Sequence, residues 1–236
     1  MSTATITCED CMDLMQRYSD KHFDLALVDP PYGIGQDWKK RSHRTVKFPE
    51  TSYKNNAIPP KAYFDELFRV SCHQIIFGYN YFVEILGPTN YLIIWDKCSG
   101  NNINFKYSQA EIAFTSLRIP MRVFRVPWDG SRMGSETNSR KIHPHQKPLD
   151  LYVQILRSYS KPGFKILDTH MGGGSSVLAS LKLGLDITAC EIDETYFAAA
   201  KKRIDLEAKQ MELFLPEETH PDSLFEDIAL LKAPCA

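Results

Sequence analysis

KILDTHMGGGSSVLASLKLGLDITACE, from Lys165 to Glu191, reads as strand, glycine loop, helix and second strand. The apolar end of Lys165 to Asp168 feeds a turn in which Met171 to Gly174 carries three successive glycines, and Ser175 to Leu183 follows with a helical pattern. Asp186 to Cys190 is again strand-like, and Glu194 to about Leu213 is a helix, completing a β-loop-α-β-α unit. Such a unit predicts an α/β fold with a mostly parallel twisted sheet and helices on both faces. Glycines let a ligand approach the backbone, and the helix N-terminus supplies free N–H groups. Glu191 stands 17 residues after the last of these glycines, where a carboxylate can hold the diol of any ribose. Taken alone, this half describes a tight turn, a dinucleotide site or another adenosine-bearing ligand equally well.

The distinguishing feature lies far upstream, in FDLALVDPPY, Phe23 to Tyr32. Phe23 to Val28 is short and apolar save for Asp24, as a buried strand is, so Asp29, Pro30, Pro31 and Tyr32 fall at its carboxyl end. Two prolines fix φ and remove two donors, which leaves a stiff turn with outward carbonyls. A carboxylate, the exposed Pro30 carbonyl and an aromatic face then converge. An exocyclic NH₂ on a ring offers two donors and a π-face, so Asp29 and the Pro30 carbonyl can accept its protons while Tyr32 stacks on the ring.

The remainder of the 236-residue chain allows one large domain, with 43% hydrophobic and 24% charged residues. Around the two motifs we expect strands at Thr5 to Thr7, His73 to Gly78 and Tyr91 to Trp95, and helices at Asp10 to Tyr18, Pro60 to Ser71, Tyr81 to Leu86 and Pro148 to Tyr159. Alternation in Glu111 to Ser116 and Met121 to Val126 predicts an antiparallel hairpin. Residues 33–58 read as a long mobile loop. No apolar run approaches 18 residues and the N-terminus lacks a secretory pattern, so an intracellular, cytoplasmic protein without a membrane partner is expected. Six cysteines without framework spacing read as reduced thiols. Cys8 and Cys11 form a C-x-x-C with no second ligand pair, so no metal is expected. The net charge of −1 conceals polarity: residues 37–47 carry five cations against one acid, and residues 118–147 carry seven against two. Residues 212–236 reverse this, with six acids against one lysine.

Asp-Pro-Pro-Tyr at 29–32, HPHQKPLDL at 143–151, ILDTHMGGGSS at 166–176 and ACEIDETYFAAAKKRI at 189–204 together resemble the amino-methyltransferases that methylate a ring amine in DNA with S-adenosylmethionine. The catalytic motif precedes the glycine loop, as in the family's beta class. The resemblance implies the Rossmann-like methyltransferase fold with a small recognition insert: a catalytic domain over 1–214, including the insert at 97–142, and an acidic tail over 215–236. It further implies that Asp29, Pro30, Pro31 and Tyr32 are catalytic. For the S-adenosylmethionine site it implies Asp29, Asp168, Met171, Gly172, Gly173, Gly174 and Ser175, with Glu191 on the ribose hydroxyls and Ile192 against the adenine. Asp10 and Cys11 match the segment that supplies further adenine contacts, although Asp10 reads equally as a helix N-cap. Lys147 reads as a holder of the donor's carboxylate or of a phosphate, or as a surface lysine. Thr169, His170 and His145 depart from the residues common in relatives.

A paired base hides its amine, so the base must be flipped out to reach the corner. Lys39, Lys40, Arg41, Arg44 and Lys47 are expected on phosphates, Trp38 as a stacking surface, and Arg132 and Arg140 on guanine edges. Relatives that act on cytosine more often show Ser at the first position of the tetrapeptide, so Asp29 tilts the reading toward adenine N6. Cytosine N4 stays open, as does a catalytically silent DNA-binding subunit. RNA, a glutamine amide and nicotinamide chemistry are weaker rivals. The resemblance also extends to a homodimer, since relatives are often dimers.

Overall fold

The computed structural model describes residues 2–34, 57–98, 108–128, 134–136 and 141–213. They form one eight-stranded sheet: β1 (Ala4–Cys8), β2 (Phe23–Val28), β3 (Ser71–Phe77), β4 (Leu92–Asp96), β5 (Ala110–Thr115), β6 (Arg122–Arg125), β7 (Lys165–Asp168) and β8 (Asp186–Glu191). The strand order is β1-β8-β7-β2-β3-β5-β4-β6, and only β5 runs antiparallel to its neighbours. Among the described residues six helices cover it: α1 (Cys11–Gln16), α2 (Lys61–Val70), α3 (Tyr79–Leu86), α4 (Leu149–Tyr159), α5 (Ser175–Lys182) and α6 (Glu194–Leu213).

Strand β2 explains the two-sided cover. All of its residues but Asp24 are apolar, and they point to both faces, so both must be buried. Leu25 and Leu27 pack into a core shared with Leu151, Ile155 and Leu156 of α4 and with Val177 and Leu178 of α5. Ala26 and Val28 face the opposite core, built with Leu14 and Met15 of α1, Phe64 and Leu67 of α2, and Phe82 of α3. At about 25 cal/mol per Å² of apolar surface, each fully buried Leu or Phe contributes about 2 kcal/mol, so the two layers together hold the sheet.

The expected elements are present with boundaries shifted by a residue or two. The expected hairpin is not: β5 inserts between β3 and β4, while β6 pairs in parallel with β4. Alternation marked both segments as strands, but it does not name their partners. Among the described residues Cys8, Cys11, Cys98 and Cys190 are free thiols. Among the described residues no helix is long and apolar enough to cross a membrane, and no group of three or more His, Cys, Asp or Glu is placed to hold a metal ion.

The sheet reverses its winding between β7 and β2. From β2 the chain moves outward to β3, and from β7 it moves the other way to β8. Loops at the carboxyl ends of two such strands diverge and leave a crevice, the usual ligand position in open α/β sheets. The two loops at this point are Asp29 to Tyr32 and Thr169 to Gly174.

Candidate active site

Strands β2 and β7 pair in parallel, Leu25 with Ile166 and Ala26 with Leu167, which sets the two motifs side by side although they are far apart in sequence. The Asp29 carboxylate is fully engaged. Its Oδ1 accepts from the Tyr32 hydroxyl at 2.5 Å, and its Oδ2 lies 2.5 Å from the Lys147 ammonium. Lys147 is also 3.1 Å from Glu111 Oε2 and donates to the Tyr32 hydroxyl at 3.1 Å. The second Glu111 oxygen meets Lys97 at 2.5 Å. Asp29, Glu111, Lys147 and Lys97 are therefore two carboxylates and two ammonium groups in one closed network. Burial opposes the Lys147 charge, yet Asp29 and Glu111 outweigh it and raise its pKa. Burial likewise pushes Glu111 up, but Lys147 and Lys97 prevail and hold it well below the usual carboxylate range.

Two features of this network were not legible in sequence. Lys147 is no surface lysine: its side chain is only 5% exposed, and its ammonium lies 4.7 Å from the centre of the Phe77 ring. Its end faces the catalytic turn. Glu111 was missed altogether. Because β5 is antiparallel, its first residues lie at the carboxyl rim of the parallel strands, and Glu111 pairs there with Trp95. The available signal was a lone acid in the otherwise apolar run AEIAF.

Tyr32 folds inward over Gly78. A Cβ added to Gly78 would fall 2.2 Å from the tyrosine ring, and Gly78 has φ +80°, so this position requires glycine twice over. One face of Tyr32 is stacked on Tyr81 at 5.0 Å and 14°, and its edge contacts Phe82. Burial, then Asp29 and Glu111, raise the Tyr32 pKa, which keeps the hydroxyl a neutral donor.

On the other side of the crevice, Asp168 is buried and accepts from Ser176 Oγ at 2.5 Å and from the His170 N–H at 2.9 Å. Burial raises its pKa to about 7 despite these bonds. Glu191 accepts from the Gly172 and Asp193 N–H groups, each at 3.0 Å, and burial raises it too. Beside it the apolar Ile192 is 59% exposed at the strand end. Gly172 and Gly174 have positive φ, and a Cβ on Gly173 would press on the Gln146 amide, so the loop is backed by the HPHQ segment. Met171 and Ser175 are buried, and Ser175 Oγ donates to the Lys147 carbonyl at 2.9 Å. Asp10 caps α1 by accepting from the Met12 N–H at 2.7 Å, and Cys11 follows half-buried. The expected nucleic-acid contacts Trp38, Lys39, Lys40, Arg41, Arg44, Lys47, Arg132 and Arg140 lie outside the described residues.

Residues 99–202 match the family model described as DNA methylase. The chain is 23% identical over 241 residues to Type II methyltransferase M.HpaI of Haemophilus parainfluenzae, covering 86% of this chain and 74% of that one. Over these stretches the chain is similar to DNA methylases. Among solved structures, it superposes on the M1.HpyAVI–SAM complex with a TM-score of 0.57 at 20% identity, over 85% of this chain and all of that one. The cytosine-N4-specific PvuII DNA methyltransferase gives the same TM-score at 13% identity, over 93% and 89%. At these identities the superpositions establish the fold that the chain shares with them. The family match begins after Asp29 to Tyr32, so the corner rests on its own geometry.

Proposed function

We propose that this chain is an S-adenosylmethionine-dependent DNA methyltransferase acting on an exocyclic ring amine, and on adenine N6 rather than cytosine N4. One observation carries the reading: the rigid Asp29 to Tyr32 corner and the glycine loop flank a single crevice at the point where the sheet reverses its winding.

The residues beside that crevice fit such a donor. Glu191 retains acceptor capacity for a ribose diol, Ile192 offers an apolar plate for an adenine, and Asp168 with the Met171 to Gly174 backbone suits a cationic amino-acid end. When bound, the donor supplies a sulfonium methyl; the amine's lone pair forms the N–C bond as the C–S bond breaks with its pair going to sulfur, and the nitrogen then loses a proton. An aromatic amine is a poor nucleophile, so the protein must favour positive charge as it grows on nitrogen. Asp29 supplies fixed negative potential there, and the Pro30 carbonyl aligns the second N–H. Tyr32 and the stacked Tyr81 form the aromatic wall against which a flipped base is held, with Tyr81, 40% exposed, yielding one ring face to it. Asp in the first position of the tetrapeptide supports adenine. The basic runs at 37–47 and 118–147 support DNA as the partner. The intact corner together with the intact glycine loop argues against a silent copy of the fold. The acidic segment 215–236 we read as a tail outside the catalytic unit 1–214, and a homodimer would extend the footprint on DNA.

Asp29→Ala is expected to reduce methyl transfer to DNA by about a hundredfold or more while leaving donor affinity unchanged. Labelled-methyl incorporation and calorimetry with S-adenosylmethionine measure the two, and nucleoside analysis of the product identifies the base. Undiminished incorporation in that variant overturns the assignment.

A further inference from the structure

Within the network described above, both oxygens of Asp29 are already in use, one by the Tyr32 hydroxyl and the other by the Lys147 ammonium. A cation 2.5 Å from Asp29 cancels the negative potential that a nitrogen becoming positive needs. An entering amine therefore meets a carboxylate whose charge is already paired. For Asp29 to favour a nitrogen becoming positive, Lys147 has to move.

The surroundings leave one destination. Lys147 is walled off from water, with Phe77 against its ammonium, so it cannot swing out to solvent. Deprotonation is opposed by two adjacent carboxylates. Glu111 Oε2 lies only 3.1 Å away on the rim of β5, and its other oxygen is anchored by Lys97 from the end of β4. A carboxylate fixed in this way offers Lys147 an equivalent charge partner, already within ion-pair distance, without exposing either group.

We propose that Glu111 is a positioning residue that draws Lys147 off Asp29 when the substrate amine enters, so that Lys147 stands in for the amine in the resting enzyme and releases the Asp29 potential on demand. The ion pair keeps the corner neutral and preorganised without substrate. The hand-off restores its negative charge only when a ring amine competes for the same oxygens. The inference rests on the proposed amine methylation.

Single-turnover transfer from labelled S-adenosylmethionine to sheared genomic DNA, with enzyme in excess, tests it. Glu111→Gln retains shape but removes the charge that receives Lys147; its transfer rate should fall about 10- to 100-fold, with donor affinity and the KM for DNA unchanged. Adding Lys147→Met to that variant removes the cation left on Asp29 and should restore at least about tenfold of the loss. Glu111→Asp should keep more activity than Glu111→Gln. A purely structural role predicts the reverse, a double variant as poor as or poorer than the single. Donor binding reports folding, and should Glu111→Gln fail to bind, Glu111→Asp with and without Lys147→Met carries the same comparison. Unimpaired transfer in the Glu111 variants, or no recovery in the double variant, overturns the hand-off alone. A wild-type enzyme that labels no base amine overturns the proposed function itself.

Discussion

His170 is a partly buried imidazole whose Nδ1 shares a hydrogen bond with Thr169 Oγ1 at 2.9 Å, while its ring meets Tyr63 edge-on. Burial holds its pKa at about 4, against about 6.5 in an unfolded chain. Between those values the unfolded state binds a proton that the native state refuses, so stability present in full above pH 6.5 is lost as pH falls toward 4, by up to about 3 kcal/mol. Asp168, raised to about 7, acts in the opposite sense over much of the same window, so the effect is read as a difference between wild type and variant. His170→Phe keeps the ring contact and should flatten the fall in melting temperature between pH 6.5 and 4. Thermal denaturation across that range measures it, and parallel wild-type and variant curves count against it. At this scale the sequence disclosed the corner well, since Asp-Pro-Pro-Tyr has few other uses. It named Lys147 only as a holder of the donor's carboxylate or of a phosphate, or as a surface lysine, because a lysine is nearly always exposed and only the assembled rim shows two acids beside this one.

Among the elements, the passage from β3 through Gly78 into α3 is the one on which the corner leans. Gly78 begins α3 in the left-handed region and leaves room for the Tyr32 ring. Gly78→Ala must bear a left-handed alanine and a collision with that ring, and should cost at least about 2 kcal/mol of stability. Urea denaturation checks the loss, and transfer activity at a permissive temperature should fall with it because Tyr32 is displaced. Strand β5 shows where reading by element stops. Its alternating AEIAFT correctly announces a strand, but its two neighbours come from residues 71–77 and 92–96, and no local pattern specifies that insertion. Missing Glu111 followed from this: assigned to an outer hairpin, the acid reads as solvated, whereas between β3 and β4 it lies on the reactive rim. The β7-α5-β8 unit was legible for the converse reason, being consecutive in sequence and adjacent in space.

For the molecule as a whole, one guanidinium ties three separate segments. Arg203 of α6 donates to the Gly173 carbonyl at 2.7 Å, to Ser175 Oγ at 3.1 Å and to Glu136 at 2.7 Å. Glu136 in turn accepts from the Leu149 N–H and from Gln146, so the glycine loop, the start of α4 and the short turn Gly134–Glu136 share one clamp. Arg203→Ala leaves a buried carboxylate without its cation and should cost about 3 to 5 kcal/mol in chemical denaturation, with weaker donor binding as the loop loosens. Glu136→Gln, which keeps most of the hydrogen bonds, should cost markedly less. If the two variants were equally mild, the clamp would be ornamental.

The β2–β7 pairing also bears on how the polypeptide is made. During synthesis the tetrapeptide emerges early, but the lysine that meets its tyrosine follows 115 residues later, and the neighbouring β7 begins only at Lys165. Until then one edge of the mostly apolar β2 stays unpaired, a template for illicit pairing that the nascent protein must shelter. Assembly of the corner thus waits until late in translation, and a fragment released before Lys147 carries the tetrapeptide without the partners that hold it.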